Sequence, residues 1–321
     1  MIQLLNVSKK YDDIKILENL NLSVDTGTIY GILGRSGAGK SSLIRMLNGL
    51  VKPDSGQILI DNQDLTTLTT LELRKMRKRV SMIFQQFNLL YQQDVLNNVL
   101  IGYQGKDLSK IEKQEKAINL LKVVGLEGFE NRYPKTLSGG QMQRVAIARA
   151  LMNEPDYLLC DEITSSLDQE TAYQILDLLK QINQQMNLTI LFVSHDIDAV
   201  KYICSDVCVI EDKHVIESGK TIDLALNHQS SVSKRFLNHF DDRFLDKVTE
   251  DVYEVYFLNE INYPLISQVS KKHLVDISIL YAKISEINHQ SVGYLLITVS
   301  GKHKLEAIAD LKEKVSVNLY V

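Results

Sequence analysis

The 321-residue sequence has no tryptophan, only four prolines and only three cysteines. The cysteines are Cys160, Cys204 and Cys208, and no neighbouring residues complete a zinc-binding set around them. We therefore expect three buried, reduced thiols in a reducing compartment, and neither a disulfide framework nor a zinc site.

Long apolar runs are also missing. The longest, TILFV and YLLITV, have the length of strands, whereas a membrane-spanning helix needs about 20 apolar residues. The N-terminus, MIQLLNVSKKYDD, has no basic start followed by an apolar signal core. We therefore expect a soluble cytoplasmic protein that reaches a membrane only through a partner.

A strong charge of one sign is missing too. The formal net charge is −4, with 45% hydrophobic and 24% charged residues. These are ordinary values for a globular protein, and a dedicated nucleic-acid binder usually carries a basic excess. We expect no nucleic-acid partner, and the length predicts about two domains.

Apolar runs that alternate with helical patterns indicate an α/β domain over residues 1–225. The runs at 157–160 and 188–193 are typical of parallel strands that helices cover on both faces. A helical subdomain is expected at about 90–150. Within it, SKIE at 109–112 predicts a capping box that starts a helix. Its predicted apolar face is formed by Ile111, Ile118, Leu121 and Val124, and Gly125 is expected to cap its end.

The rest of the chain has a different organisation. A polar stretch over 226–250 is interpreted as a linker with one short helix. Residues 251–321 then follow the order βαββαβ, which predicts a small ferredoxin-like α+β domain. A domain of this size has a small core, so pairing with a second copy is expected.

Residues 34–42, GRSGAGKSS, match the phosphate-loop pattern G-x-x-x-x-G-K-[ST] between a strand pattern and a helix pattern. Backbone N–H groups of such a loop hold phosphate oxygens, while Lys40 reaches the β- and γ-phosphates and Ser41 ligates Mg²⁺. The alternative is a flexible turn that matches by chance. The expected nucleotide-binding residues here are Gly34, Arg35, Ser36, Gly37, Ala38, Gly39, Lys40, Ser41 and Ser42.

The stretch YLLCDE, 157–162, is an apolar strand that ends in two carboxylates. Asp161 is expected to lie near Mg²⁺, and Glu162 to polarise an attacking water. The alternative is an ordinary strand end with two solvated acids.

The stretch LSGGQ, 137–141, predicts a second helix N-terminus that can hold a γ-phosphate. Together with the phosphate loop it resembles the ATP-binding cassette (ABC) ATPases, over residues 1–225. The resemblance implies the P-loop NTPase fold, ATP and Mg²⁺ as ligands, and a head-to-tail homodimer. In that dimer, ATP on one copy is covered by Ser138, Gly139, Gly140 and Gln141 of the other.

The same resemblance assigns roles to four further residues. Gln85 in MIFQQFNLL resembles the glutamine that touches Mg²⁺ and the attacking water, although Gln86 next to it is an alternative. His195 in LFVSHD resembles the switch histidine for the γ-phosphate, and Asp168 belongs to the loop that crosses the dimer interface. Tyr11 resembles the aromatic residue that stacks on adenine. A structural histidine and an ordinary surface tyrosine are the alternatives.

One loop departs from the family pattern. ITSSLDQE carries Ile163, Ser166 and Gln169 where relatives usually have alanines and a proline, which puts the rigidity of the loop in question.

The RKMRKRVSMIFQQFNLL stretch and the C-terminal βαββαβ domain are similar to the methionine-import ATPases. The resemblance implies a peripheral subunit on the cytoplasmic face of the cell membrane. Its partners would be two permease subunits and, through them, an external substrate-binding lipoprotein. The appended NIL domain would bind methionine and inhibit transport, or act only as a dimerisation module. Another small amino acid or a phosphonate as substrate, a soluble ABC ATPase acting on nucleic acid or ribosomes, and a small-molecule P-loop kinase are the alternatives.

Overall fold

The computed structural model describes residues 1–237, 245, 248–259 and 264–320. The chain divides into two compact units, Met1–Ser218 and Gly219–Val321. The predicted linker, 226–250, lies partly outside the described residues.

The first unit is an α/β structure, as predicted. Its strands are β1 Ile2–Tyr11, β2 Ile14–Val24, β3 Ile29–Gly34, β4 Ser55–Ile60, β5 Gln63–Asp64, β6 Val80–Ile83, β7 Tyr157–Asp161, β8 Thr189–Ser194, β9 Asp206–Glu211 and β10 His214–Lys220, the last of which runs across the division. Its helices are α1 Lys40–Leu47, α2 Thr70–Arg79, α3 Val95–Leu100, α4 Lys110–Val123, α5 Gly139–Leu151, α6 Gln169–Met186 and α7 Ile197–Ile203.

The central sheet has the strand order β10-β9-β3-β8-β7-β6. The pairs β9–β3, β3–β8, β8–β7 and β7–β6 are parallel, and every residue of β3, β7 and β8 is buried. The prediction that the apolar runs at 157–160 and 188–193 are parallel strands covered on both faces is therefore confirmed. Because these strands are parallel, their carboxyl ends, where the candidate site residues lie, share one edge of the sheet.

A second, antiparallel sheet has the order β2-β1-β4-β5. Its inner side chains, such as Leu4 and Ile58, share one core with Ile32 of β3 and Leu159 of β7. The segment between β6 and β7 contains α3, α4 and α5, which pack on one another.

Helix α4 begins as predicted, with a Ser109–Glu112 capping box, and Gly125 follows its end with φ +72°. Its predicted apolar face was wrong in two positions, because Ile111 and Ile118 are 67% and 41% exposed. The buried positions are Ala117, Leu120, Leu121 and Val124. The helix packs along this set against α3 and α5, and a face of small and leucine residues allows that close approach.

The second unit contains α8 Thr221–Leu226, α9 Ser231–Leu237, β11 Val252–Leu258, α10 Leu265–His273, β12 Asp276–Ile287, β13 Gln290–Ser300, α11 Lys304–Lys314 and β14 Ser316–Leu319. From β11 onward this is the predicted βαββαβ order. The four strands form an antiparallel sheet in the order β12-β13-β11-β14.

The two faces of this sheet differ in chemistry. One face packs on α10 and α11 through an apolar core that includes Val255, Ile297 and Leu311. On the opposite face, the buried carboxylate of Glu254 accepts hydrogen bonds from the hydroxyls of Tyr294 at 2.9 Å and Tyr256 at 3.3 Å. Helix α8 contacts β11 and α9 contacts β12, so residues before the NIL-like strands are part of this unit.

All three cysteines are free and buried, as expected, and burial raises the pKa of each thiol. Within the described ranges we find no helix with the length and apolar character that crossing a bilayer requires.

Candidate nucleotide site

The glycine-rich loop joins the end of β3 to the start of α1. Gly39, with φ +91°, occupies the N-cap position of α1, in a left-handed conformation that favours glycine. At Gly34, an added Cβ would lie 2.7 Å from the main-chain oxygen of Ile210 on the neighbouring strand. The loop is therefore packed closely against β9, and the first N–H groups of α1 are directed to the site edge.

Lys40, the first residue of α1, is 4% exposed. Its Nζ donates to the carbonyl oxygens of Gly34 at 2.8 Å and Arg35 at 3.0 Å, so it closes the loop on itself. The same nitrogen lies 3.6 Å from Oε1 of Glu162. This arrangement places a buried cation within the glycine-rich loop, next to the N-terminus of α1, a setting suited to phosphate.

Ser41 and Asp161 meet across the sheet edge. The Ser41 hydroxyl donates to Oδ1 of Asp161 at 3.2 Å. Burial raises the pKa of Asp161, with a further increase from the charge of Glu162, while the hydrogen bond from Ser41 acts in the opposite direction. A hydroxyl and a carboxylate oxygen side by side fit the preference of Mg²⁺ for oxygen ligands.

Glu162 follows β7 and has a φ of +48°, unusual for a residue with a side chain. Its main-chain N–H donates to the carbonyl of Val193 at 3.0 Å, which holds this conformation. Oε1 lies 3.3 Å from Nδ1 of His195, and Oε2 accepts from Nε2 of Gln85 at 3.4 Å. With Lys40, three chain segments therefore converge on one carboxylate, and the glutamine among them is Gln85.

Ser165 was expected only in the interface loop with Asp168, and not beside Glu162 and Gln85. Its hydroxyl donates to the carbonyl of Glu162 at 2.8 Å and accepts from Nε2 of Gln85 at 3.4 Å. The available signal was its position three residues after Glu162, where a serine hydroxyl bonds back to the preceding turn.

The LSGGQ segment starts α5. Ser138 is its N-cap and forms a capping box with Gln141, and Gly140 packs so closely on Thr171 that an added Cβ would overlap its methyl group. Asp168 caps α6 by accepting from the N–H of Thr171 at 2.9 Å, and these bonds lower its pKa. Among the described residues, the polar contacts that connect Lys40, Glu162 and His195 do not include Ser138–Gln141.

Tyr11 ends β1 and is 42% exposed. Nζ of Lys9 lies 5.3 Å from the centroid of its ring, and Lys9 is held by the carbonyl of Lys52 at 2.9 Å. The cation occupies one face of the ring, and the exposure of Tyr11 leaves surface for a second planar group.

The second unit has a cavity of about 540 Å³ between α10 and the sheet. Its lining is mainly apolar and includes Val255, Phe257, Leu265, Ile277, Ile279 and Leu295. Two serines, Ser267 and Ser270, also line it.

Two protein families match the sequence. The ABC transporter family matches residues 17–165, and the NIL domain matches residues 252–318. The methionine import ATP-binding protein MetN of Staphylococcus haemolyticus is 44% identical over 317 residues, covering 93% of this chain and 92% of the relative. MetN 2 of Enterococcus faecalis is 40% identical over 332 residues, covering 98% and 96%.

The chain belongs to the methionine import ATP-binding protein family. This chain carries matches to both domains, the ABC transporter domain first and the NIL domain after it.

Solved structures agree with the cassette assignment. The dimeric, post-hydrolysis ATP-binding cassette MJ0796, bound to ADP and Pi, is 39% identical, with a TM-score of 0.63 over 68% of this chain and 98% of that chain. CbiO1 of Clostridium perfringens, part of the ABC transporter complex cbiONQ, is 30% identical, with a TM-score of 0.66 over 76% and 96%.

Proposed function

We propose that the chain is the ATP-hydrolysing subunit of a methionine importer. The observation that carries the proposal is the convergence of Lys40, Ser41, Asp161, Glu162 and His195 at one edge of the sheet. That set contains a phosphate-binding cation, oxygen ligands for a divalent ion and a positioned base, which together serve phosphoryl transfer to water.

Within this proposal, Lys40 and the N–H groups at the start of α1 bind the β- and γ-phosphates. Ser41 and Asp161, with Gln85, would hold Mg²⁺, and that ion would supply charge neutralisation at the phosphates. Glu162 accepts the proton of the attacking water. His195 and Gln85 position the Glu162 carboxylate through their contacts to its two oxygens. Tyr11 stacks on the adenine.

The second half of each site comes from a second copy. Ser138–Gln141 form the N-terminus of α5, where the helix dipole favours an anion, yet they lie outside the polar network around Lys40 in their own chain. A head-to-tail homodimer brings this segment of one copy onto the ATP of the other, and the similar cassette MJ0796 is dimeric. Asp168 then lies in the loop that crosses the interface.

ATP binding and hydrolysis would close and open this dimer beneath two permease subunits at the cytoplasmic face of the membrane, which receive methionine from an external binding lipoprotein. The loop after Gln85 has exposed apolar side chains, Leu90 at 46% and Tyr91 at 60%, which fit a surface for a permease helix.

The second unit is proposed to sense methionine. Its cavity accepts an apolar side chain, and it opens beside β12, an edge strand that exposes Ile279 at 53% and Ile284 at 74%. Pairing of β12 with β12 of a second copy would cover these side chains and close the cavity. Bound methionine would then fix a dimer of regulatory units that keeps the ATP sites apart.

Uptake of radiolabelled L-methionine tests the transport assignment, in cells that lack the chromosomal copy and carry either the wild-type chain or Glu162→Gln. We expect uptake only with the wild type, and no competition from leucine or methylphosphonate. If cells with Glu162→Gln take up methionine as the wild type does but lose uptake of another compound, methionine is not the substrate. The assignment as a transport ATPase would then still hold.

A further inference from the structure

Gly293 and Phe257 are cross-strand partners in β13 and β11. The Phe257 ring lies against the main chain of Gly293, so closely that a Cβ built on Gly293 would overlap ring atoms Cζ, Cε1 and Cε2. Aromatic rings cover glycines in this way where a strand offers no side chain of its own.

The glycine is not needed for the backbone conformation. The φ of Gly293 lies outside the left-handed region, so the main chain at this position suits any residue. The three atoms nearest to a Cβ at this position all belong to the ring of Phe257. The absence of a side chain at 293 therefore sets the position of one aromatic ring.

That ring forms a wall of the 540 Å³ cavity. Val255 and Leu295, which are paired with each other next to Phe257 and Gly293, form the adjoining part of the same wall. A ring displaced from Gly293 has the open cavity beside it, because Phe257 lines that cavity. The neighbouring side chains of the apolar core are buried and, as in protein interiors generally, closely packed.

We propose that Gly293 is a positioning residue that keeps the regulatory cavity open by seating Phe257 against the backbone. This inference rests on the proposed regulation, and it assigns Phe257 as the aromatic wall of the ligand site. An aromatic edge favours contact with a thioether sulfur, so the wall suits an unbranched, sulfur-containing side chain.

Calorimetry on the full-length chain tests the proposal with L-methionine as the probe and L-norleucine and L-leucine as comparisons. We expect Gly293→Ala to weaken methionine binding at least tenfold while basal ATP hydrolysis is unchanged. Phe257→Ala removes the ring, so adding Gly293→Ala to it should produce no further loss. A tenfold loss from Gly293→Ala in both backgrounds would overturn the proposal, because the effect would not act through the ring.

A second measurement needs no ligand. Leu295→Cys places a thiol on the cavity wall, and the three native cysteines are fully buried. In the Leu295→Cys chain, adding Gly293→Ala should slow the rate of maleimide labelling at least tenfold. Adding Phe257→Ala as well should restore the rate. Unchanged labelling would refute the closing of the cavity. Slowed labelling together with no methionine binding by the wild type would support the role of Gly293 and reject the proposed ligand.

Discussion

Nζ of Lys40 lies 3.6 Å from Oε1 of Glu162, and the two side chains are only 4% and 17% exposed. The cation comes from the first residue of α1 and the carboxylate from the residue after β7. Their proximity follows from the parallel arrangement of β3 and β7 on either side of β8, which brings both strand ends to one edge.

Glu162→Gln should lower ATP turnover by on the order of 10²–10⁴, the usual range for a positioned base. The glutamine has the same size as the glutamate it replaces, although its hydrogen bond from Gln85 becomes weaker. Lys40 retains its bonds to the carbonyl oxygens of Gly34 and Arg35. ATP affinity should therefore change little. Steady-state hydrolysis and equilibrium nucleotide binding measure the two quantities separately.

The matched control for this variant is Glu127→Gln, which removes a carboxylate that is 70% exposed. It should leave turnover at the wild-type level. Hydrolysis by Glu162→Gln at the rate of Glu127→Gln would remove Glu162 from the mechanism.

Asp310 connects α10 to α11 in the second unit. Hydrogen bonds from Lys314, His273 and Lys272 hold the pKa of this carboxyl well below its usual range. The folded unit therefore favours the charged form, and the contacts stabilise it at every pH above the ordinary carboxyl pKa of about 4. The contribution is lost as the pH falls through the lowered folded-state pKa.

Asp310→Asn should accordingly lower the melting temperature of the second unit by several degrees at pH 7. The difference from the wild type should persist down to about pH 5 and shrink below about pH 4. Calorimetric unfolding across this pH range measures it, with Asp276→Asn on the exposed start of β12 as control. A difference that persists undiminished in acid would show that packing, and not charge, is the cause.

Much of this architecture was predictable because local and tertiary preferences agree. The buried runs of β7 and β8, the phosphate loop between β3 and α1, and the capping box at Ser109 each have one structural solution. The C-terminal βαββαβ order was predicted for the same reason.

The wrongly predicted apolar face of α4 shows that helical periodicity alone does not identify which apolar residues are buried. Ile111 and Ile118 have a helical spacing, but Ala117 and Leu120 are the residues that face α3 and α5. The choice between two apolar stripes depends on neighbours that are distant in sequence. The contacts of Ser165 were unpredictable for a related reason. They depend on Gln85 lying close to Glu162 in space, although the two residues are far apart in sequence.

Tyr11 provides a test of base recognition. Stacking of a base on an aromatic ring contributes about 1–3 kcal/mol, so Tyr11→Ala should raise the KM for ATP by roughly 5- to 150-fold with little change in kcat. Tyr11→Phe should stay within about twofold of the wild type, because the ring is retained. Tyr133→Ala is the matched control, since Tyr133 is 43% exposed and Tyr11 is 42% exposed. Equal KM values for the two alanine variants would refute the stacking role.

The sharpest prediction comes from the proposal that each ATP site combines Lys40 of one copy with Ser138 of the other. Lys40→Ala and Ser138→Arg should each abolish hydrolysis, because every site of the homodimer then lacks one half. In a mixed dimer both defects fall in the same site, and the other site has an intact Lys40 and an intact Ser138. Mixing the two inactive proteins should therefore restore about a quarter of the wild-type rate, from random pairing with one active site per mixed dimer.

Ser109→Arg is the control for stability, because Ser109 caps α4 with the same kind of capping box that Ser138 forms on α5. It should lower the melting temperature, through a cap loss of about 1 kcal/mol, without loss of activity. If Ser138→Arg hydrolyses ATP as Ser109→Arg does, α5 of one copy does not cover the nucleotide of the other. If the mixture stays inactive while nucleotide-dependent dimers form, the two halves of the site belong to one chain.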